Sequence, residues 1–305
     1  NVVISLVKSC RPRQWLKNLI IFTPALFSFK IDNEIWIYSF YAFITFCLIS
    51  SGIYIINDVF DKASDSLHPR KKFRPIASGD ISIVLAIIFS ILLCISSICL
   101  SLYISTNLTL LVFTYLIIHI LYSSWIKNKP QVELFCISSG FLIRSLAGGV
   151  ATNLPISPWF LLTVSLLSLF LAIEKRKAEL LNETIVNSGM TRFVLDRYSM
   201  PLLLRMEGLI STSSFISYSL WASGPIMDGA QSDKMLLTVP FVLAGIFRYQ
   251  LLSDPEELER RKRYNPLLTC ERPEDMIFND KVLRYIVLAW LLITIIIGLS
   301  TYSDI

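Results

Sequence analysis

The sequence predicts an all-α polytopic membrane protein with nine transmembrane helices. Three observations carry that prediction. Hydrophobic types make up 54% of the 305 residues and charged types 17%, where a soluble domain carries about 25% charged. Mean hydropathy is +0.60. The apolar residues fall into runs of the length a helix needs to cross about 30 Å of hydrocarbon. These numbers exclude an ordinary soluble globule, a disordered chain and a collagen-like fibre.

The runs lie near 15–29, 35–57, 81–104, 107–125, 132–152, 157–174, 205–224, 235–252 and 282–301. The first is the weakest, because Pro24 interrupts it and Lys17 sits near its start. The runs are too long for barrel strands and lack period-2 alternation. Of the 28 Lys and Arg, 25 fall at the amino-terminal end and in the even-numbered gaps. That asymmetry predicts a multi-pass protein of the plasma (inner) membrane, with its amino terminus and even loops cytoplasmic. The first residue is not Met and no cleavable signal peptide is seen, so a trimmed start is expected. The six cysteines form no CxxC pair, and His68 and His119 are the sole imidazoles. A zinc site is therefore not expected, and His119 reads as a satisfied packing residue.

The longest polar stretches, 58–80, 175–204 and 253–281, all lie on the cytoplasmic side of this scheme. The second run ends in Asn57-Asp58-Val59-Phe60-Asp61-Lys62-Ala63-Ser64-Asp65. Continued as one α-helix, Asn57, Asp58, Asp61 and Asp65 fall within a sector of about 100°. Three carboxylates on one face repel one another, and a helix carboxy terminus disfavours them further. A divalent cation among them relieves both problems, and hard oxygen donors suit Mg²⁺ with a substrate phosphate. The plainer alternative is a solvated acidic helix end. His68-Pro69-Arg70-Lys71-Lys72-Phe73-Arg74-Pro75 follows directly. A metal on one side and cations on the other would grip a polyphosphate, with Arg74 as the ligand; the positive-inside rule alone explains Lys71 and Lys72 equally well.

These residues resemble the first aspartate motif of the intramembrane (UbiA-type) prenyltransferase superfamily. Further segments resemble the branch that moves phosphoribosyl groups onto polyprenyl phosphates. They are Arg11-Pro12-Arg13-Gln14-Trp15-Leu16-Lys17-Asn18, Tyr122-Ser123 through Lys127 and Pro130, the stretch from Ser139 to Gly149, and Glu174-Lys175-Arg176-Lys177-Ala178-Glu179. The resemblance implies one UbiA-like domain over 1–305 with a cytoplasm-facing Mg²⁺ site. It also implies two substrates, phosphoribosyl pyrophosphate and a polyprenyl phosphate of decaprenyl type, in a step of cell-envelope glycolipid precursor synthesis. Asp58, Asp61 and Asp65 would hold the metal, with Asn57 beside them.

Aromatic prenyltransferases of the superfamily are expected to carry a second DxxxD cluster where this chain has Glu174 to Glu179. Lys175, Arg176 and Glu179 make that face mixed in sign, which suits a phosphate clamp better than a second metal; an i,i+4 pair of Lys175 with Glu179 is the plainer reading. Arg144 lies inside a span, where an arginine costs at least ~2.5 kcal/mol on an insertion scale. It is expected to line the site, the alternative being a buried pair with Glu133 or Glu207. Lys17, Tyr122 and Lys127 are further substrate-binding candidates. A prenyl diphosphate-dependent aromatic or lipid prenyltransferase of the same fold is the rival enzyme. A transporter would spread its charges through the spans. No nucleic-acid partner is expected, and the sequence leaves the oligomeric state open, a homo-oligomer included.

Overall fold

The structure is a computed structural model that describes residues 2–67, 71–181, 195–264, 276 and 279–303. His68, Pro69, Arg70 and Glu183 lie outside the described residues. Every regular element among those described is helical. The helices are α1 (Val2–Ser9), α2 (Thr23–Phe27), α3 (Asn33–Phe60), α4 (Lys62–Leu67), α5 (Ile83–Ile104), α6 (Thr106–Ser124) and α7 (Val132–Thr152). Then come α8 (Pro158–Leu180), α9 (Met200–Ala222), α10 (Val239–Ser253), α11 (Pro255–Tyr264) and α12 (Lys281–Ser303).

Seven helices among the described residues are long and apolar enough to cross a membrane: α3, α5, α6, α7, α8, the stretch Asp233–Ser253 that ends in α10, and α12. Two of the nine apolar runs fall short of that standard. Met200–Ala222 is a full helix, but it carries Arg205, Glu207 and several serines. The first run is not one α-helix. Residues Pro12–Phe22 wind as a 3-10 helix, and Pro24 starts the short α2. Proline cannot donate the backbone hydrogen bond that would join the two.

The chain divides into two compact units. The first comprises 1–127 and 140–155. Here α3 packs on α5, and the 3-10 segment lies along α3. Small and hydroxyl residues make these approaches, as between helices in lipid. Ser90 Oγ donates to the Gly52 carbonyl at 2.8 Å and Ser97 Oγ to the Thr45 carbonyl at 2.9 Å. A Cβ on Gly148 would stand 2.0 Å from the Ile21 carbonyl oxygen. Only glycine lets α7 lie that close to the 3-10 segment. The core beneath is Ile21, Phe46, Ile49, Leu108, Val112 and Tyr115.

The second unit comprises 128–139 and 156–305. In it α8 packs on α9, and α10 packs on α12. Arg248 grips Asp280 through Nε at 3.1 Å and Nη2 at 2.7 Å, and Asp280 also accepts from the Leu283 amide at 2.7 Å. The Arg248 hydrogen bonds hold the Asp280 carboxyl below its ordinary range.

Candidate active site

The acidic motif closes α3 and opens α4. α3 ends at Phe60, and Asp61 caps it with φ −89 and ψ 5. The single continuous helix over 57–65 is therefore interrupted at Asp61, although Asp61 N still donates to Asn57 O at 2.9 Å and Asp65 N to Asp61 O at 2.8 Å. The break sorts the acidic side chains. Asp58 and Asp65 are buried, at 3% and 2% exposure. Arg74 Nη1 stands between them, 3.0 Å from Asp58 Oδ1 and 2.6 Å from Asp65 Oδ2. Arg11 Nη2 donates to the same oxygen of Asp58. Lys71 Nζ lies 3.9 Å from Asp65 Oδ1. Asp61 is directed elsewhere and accepts from Lys127 Nζ at 3.2 Å. Asn57 Oδ1 accepts from Ser123 Oγ at 2.6 Å, one residue beyond the half-buried Tyr122.

Arg11 is a residue that helical periodicity does not single out. It sits at φ 53 and ψ 63, a left-handed conformation uncommon outside glycine. Its guanidinium lies 5.0 Å from the Tyr54 ring centroid, in cation–π range. Burial pulls its pKa below the usual arginine value, Asp58 opposes that pull, and Arg74 adds to it.

A single cationic nitrogen reaches two buried carboxylates at once, so Asp58 and Asp65 are spaced to share one positive centre. Among the described residues no three His, Cys, Asp or Glu side chains converge as a protein-only cage. Mg²⁺ does not require one. It commonly takes one or two carboxylates, keeps waters, and completes its shell with substrate phosphate. The residues fit that mode.

Arg144 is buried at 4% exposure. Its Nε donates to Asn18 Oδ1 at 2.6 Å, Nη1 to the Gly140 carbonyl at 2.8 Å, and Nη2 to Tyr115 Oη at 2.6 Å. All three partners are neutral, so it ties the 3-10 segment and α6 to α7. Glu133 and Glu207, the alternative partners, are held by Arg176 and Lys177. His119 does pack, its ring tilted against Tyr115 with centroids 4.2 Å apart, but it is not satisfied: its buried Nε2 has no hydrogen-bond partner.

The second unit holds the remaining cluster. Arg176 is fully buried, with Nε 3.0 Å from Glu133 Oε1, and it also pairs with Glu179. Lys175 is half-buried. Lys177, which sequence reasoning passed over, is buried and bridges Glu174 at 2.9 Å, Glu207 at 2.5 Å and Ser253 Oγ at 3.2 Å. The i,i+3 spacing of Glu174 and Lys177 was the available signal.

A family model, the UbiA prenyltransferase family, matches residues 19–267. The chain belongs to that family. It is 33% identical over 308 residues to a decaprenyl-phosphate phosphoribosyltransferase of Mycolicibacterium smegmatis, covering 95% of this chain and 91% of that one. It is 34% identical over 297 residues to the decaprenyl-phosphate phosphoribosyltransferase of Mycobacterium tuberculosis, covering 95% and 93%. Among solved structures it is similar to a UbiA homolog from Archaeoglobus fulgidus bound to GPP and Mg²⁺. The TM-score there is 0.70 at 17% identity, over 96% of this chain and 99% of that chain. That likeness concerns the UbiA fold.

Proposed function

We propose that this UbiA-family protein transfers the 5-phosphoribosyl group of phosphoribosyl pyrophosphate to a polyprenyl phosphate of decaprenyl type and releases pyrophosphate. The observation that carries the reading is the Asp58–Arg74–Asp65 grouping, with Arg11 and Lys127 beside it. Two buried carboxylates and adjoining cations suit a divalent ion and a diphosphate arriving together. The identity to two phosphoribosyltransferases over 95% of the chain supports the choice of donor and acceptor. The product fits a precursor role in cell-envelope glycolipid synthesis.

The reaction is displacement at the anomeric carbon. The bond from that carbon to a pyrophosphate oxygen breaks, and its electron pair leaves with pyrophosphate. An oxygen of the lipid phosphate forms the new bond. That phosphate is already an anion at neutral pH, so no side-chain nucleophile is needed. Asp58 and Asp65 would hold Mg²⁺, which would supply Lewis-acid neutralisation of the leaving group; Asp61 would join them by giving up its partner Lys127. Arg74 and Lys127 stabilise charge that grows on the departing diphosphate. Asn57, held by Ser123, keeps the end of α3 in register. Tyr122 and Lys17 contact substrate. Arg144 acts by fixing the 3-10 segment, and Arg176 with Glu179 by fixing the end of α8. The reading takes 1–305 as one UbiA-like domain, consistent with a family match that runs through both units. It takes all nine apolar runs as spans and places the aspartates on the cytoplasmic face of the plasma membrane.

The test is direct. Purified protein, Mg²⁺, radiolabelled phosphoribosyl pyrophosphate and a polyprenyl phosphate should yield label in the lipid phase with equimolar pyrophosphate. Label that stays aqueous, or prenyl transfer from a prenyl diphosphate instead, would sink the proposal.

A further inference from the structure

Residues Pro12–Phe22 form eleven consecutive residues of 3-10 helix, where runs longer than three or four are uncommon. Such a run persists only when its surroundings hold it. The ties run down α3 in antiparallel order. Arg11 meets Asp58, Trp15 Nε1 donates to Ser51 Oγ at 3.1 Å, and Asn18 Nδ2 donates to Cys47 Sγ at 3.3 Å. Arg144 holds Asn18 from α7.

Winding at three residues per turn sorts the side chains into three strips. Asn18 and Ile21, both at 0% exposure, form the inner strip with the half-buried Trp15. Arg13, Leu16 and Leu19 form an exposed strip. Arg11, Gln14 and Lys17 form the third, and all three are half-buried. An α-helix would instead spread these three over about 120°. The 3-10 winding is what aligns a guanidinium, an amide and an ammonium.

We infer that the Arg11–Gln14–Lys17 strip is the binding track for the phosphate of the lipid acceptor. The inference rests on the proposed acceptor being a polyprenyl phosphate. Its Arg11 end lies on Asp58, where the donor's diphosphate is to be held. Its Lys17 end lies about 12 Å further along α3, at about 2.0 Å per residue, toward the apolar middle of that helix. A lipid whose tail stays in hydrocarbon offers its phosphate from that side. Lys17 and Gln14 meet it with donors, and the next strip presents Leu16 and Leu19 at 47% and 48% exposure to the chain.

The experiment uses the full protein in nanodiscs. Two quantities are read for each variant: binding of radiolabelled polyprenyl phosphate without donor, and the KM values for lipid and for phosphoribosyl pyrophosphate. Gln14→Leu and Lys17→Gln should weaken lipid binding and raise lipid KM about tenfold, as loss of a charge-assisted hydrogen bond does. The donor KM should stay within about twofold, and Lys17→Arg should retain lipid affinity. Arg13→Gln, an adjacent cation on another strip, should change neither. The inference is overturned if lipid binding is unaltered, if donor KM rises instead, or if Arg13→Gln matches Lys17→Gln. If wild type transfers no label to lipid, the functional proposal fails, and the binding measurement still decides the strip.

Discussion

Asp61 differs from its acidic neighbours in being partly open. Its side chain is 40% exposed and its partner Lys127 is 34% exposed, so that pair adds at most about 1 kcal/mol to stability. Asp61→Asn should therefore leave the thermal midpoint nearly unchanged while turnover falls at least about a hundredfold; near-normal turnover would remove Asp61 from the metal site. Arg144 presents the opposite case. Arg144→Ala deletes three charge-assisted hydrogen bonds inside a span, each worth about 1.5–3 kcal/mol, and frees the segment that carries Lys17. It should lower both activity and thermal midpoint more than Lys129→Ala does, and equal effects on activity would confine Arg144 to structure. At this scale the sequence made the acidic motif and Arg144 visible, because both break composition rules. It did not reveal Arg11 on Asp58, since a contact 47 positions apart depends on the 3-10 segment lying along α3.

Elements reveal where periodicity misleads. A 3.6-residue period placed Asn57, Asp58, Asp61 and Asp65 on one face, but α3 stops at Phe60 and Asp61 turns to Lys127. The run 15–29, the weakest of the nine because of Pro24 and Lys17, is 3-10 helix as far as Phe22, held so by side-chain ties and the Gly148 approach. In both places tertiary contacts override local preference. In α8, Lys177 compensates two buried carboxylates at once. Lys177→Met should cost about 3–5 kcal/mol because both charges lose their partner. Adding Glu174→Gln and Glu207→Gln should restore most of the loss, and thermal unfolding in detergent would read it. A single variant as stable as wild type would show that the triad contributes nothing to α8.

For the whole molecule, the fold class was legible because lipid admits few solutions: a backbone in hydrocarbon must satisfy itself as helices or closed barrels. Every one of the nine apolar runs is helical in the described residues, and seven reach the length and apolarity of a span. The family was legible because its motif residues are charged or glycine within apolar surroundings. The pairing of carboxylates with particular cations was not, because many charges share one side of the chain and only folding chooses among them. The central claim is that the acceptor's own phosphate oxygen attacks the anomeric carbon. Polyprenyl phosphate carrying ¹⁸O in its non-bridging oxygens tests this most directly by mass spectrometry of both products. The expected product is a phosphoribosyl lipid that keeps every ¹⁸O, one of them now joining phosphorus to ribose, with unlabelled pyrophosphate. A lipid diphosphate or triphosphate formed with release of ribose phosphate, or ¹⁸O in the pyrophosphate, would contradict it.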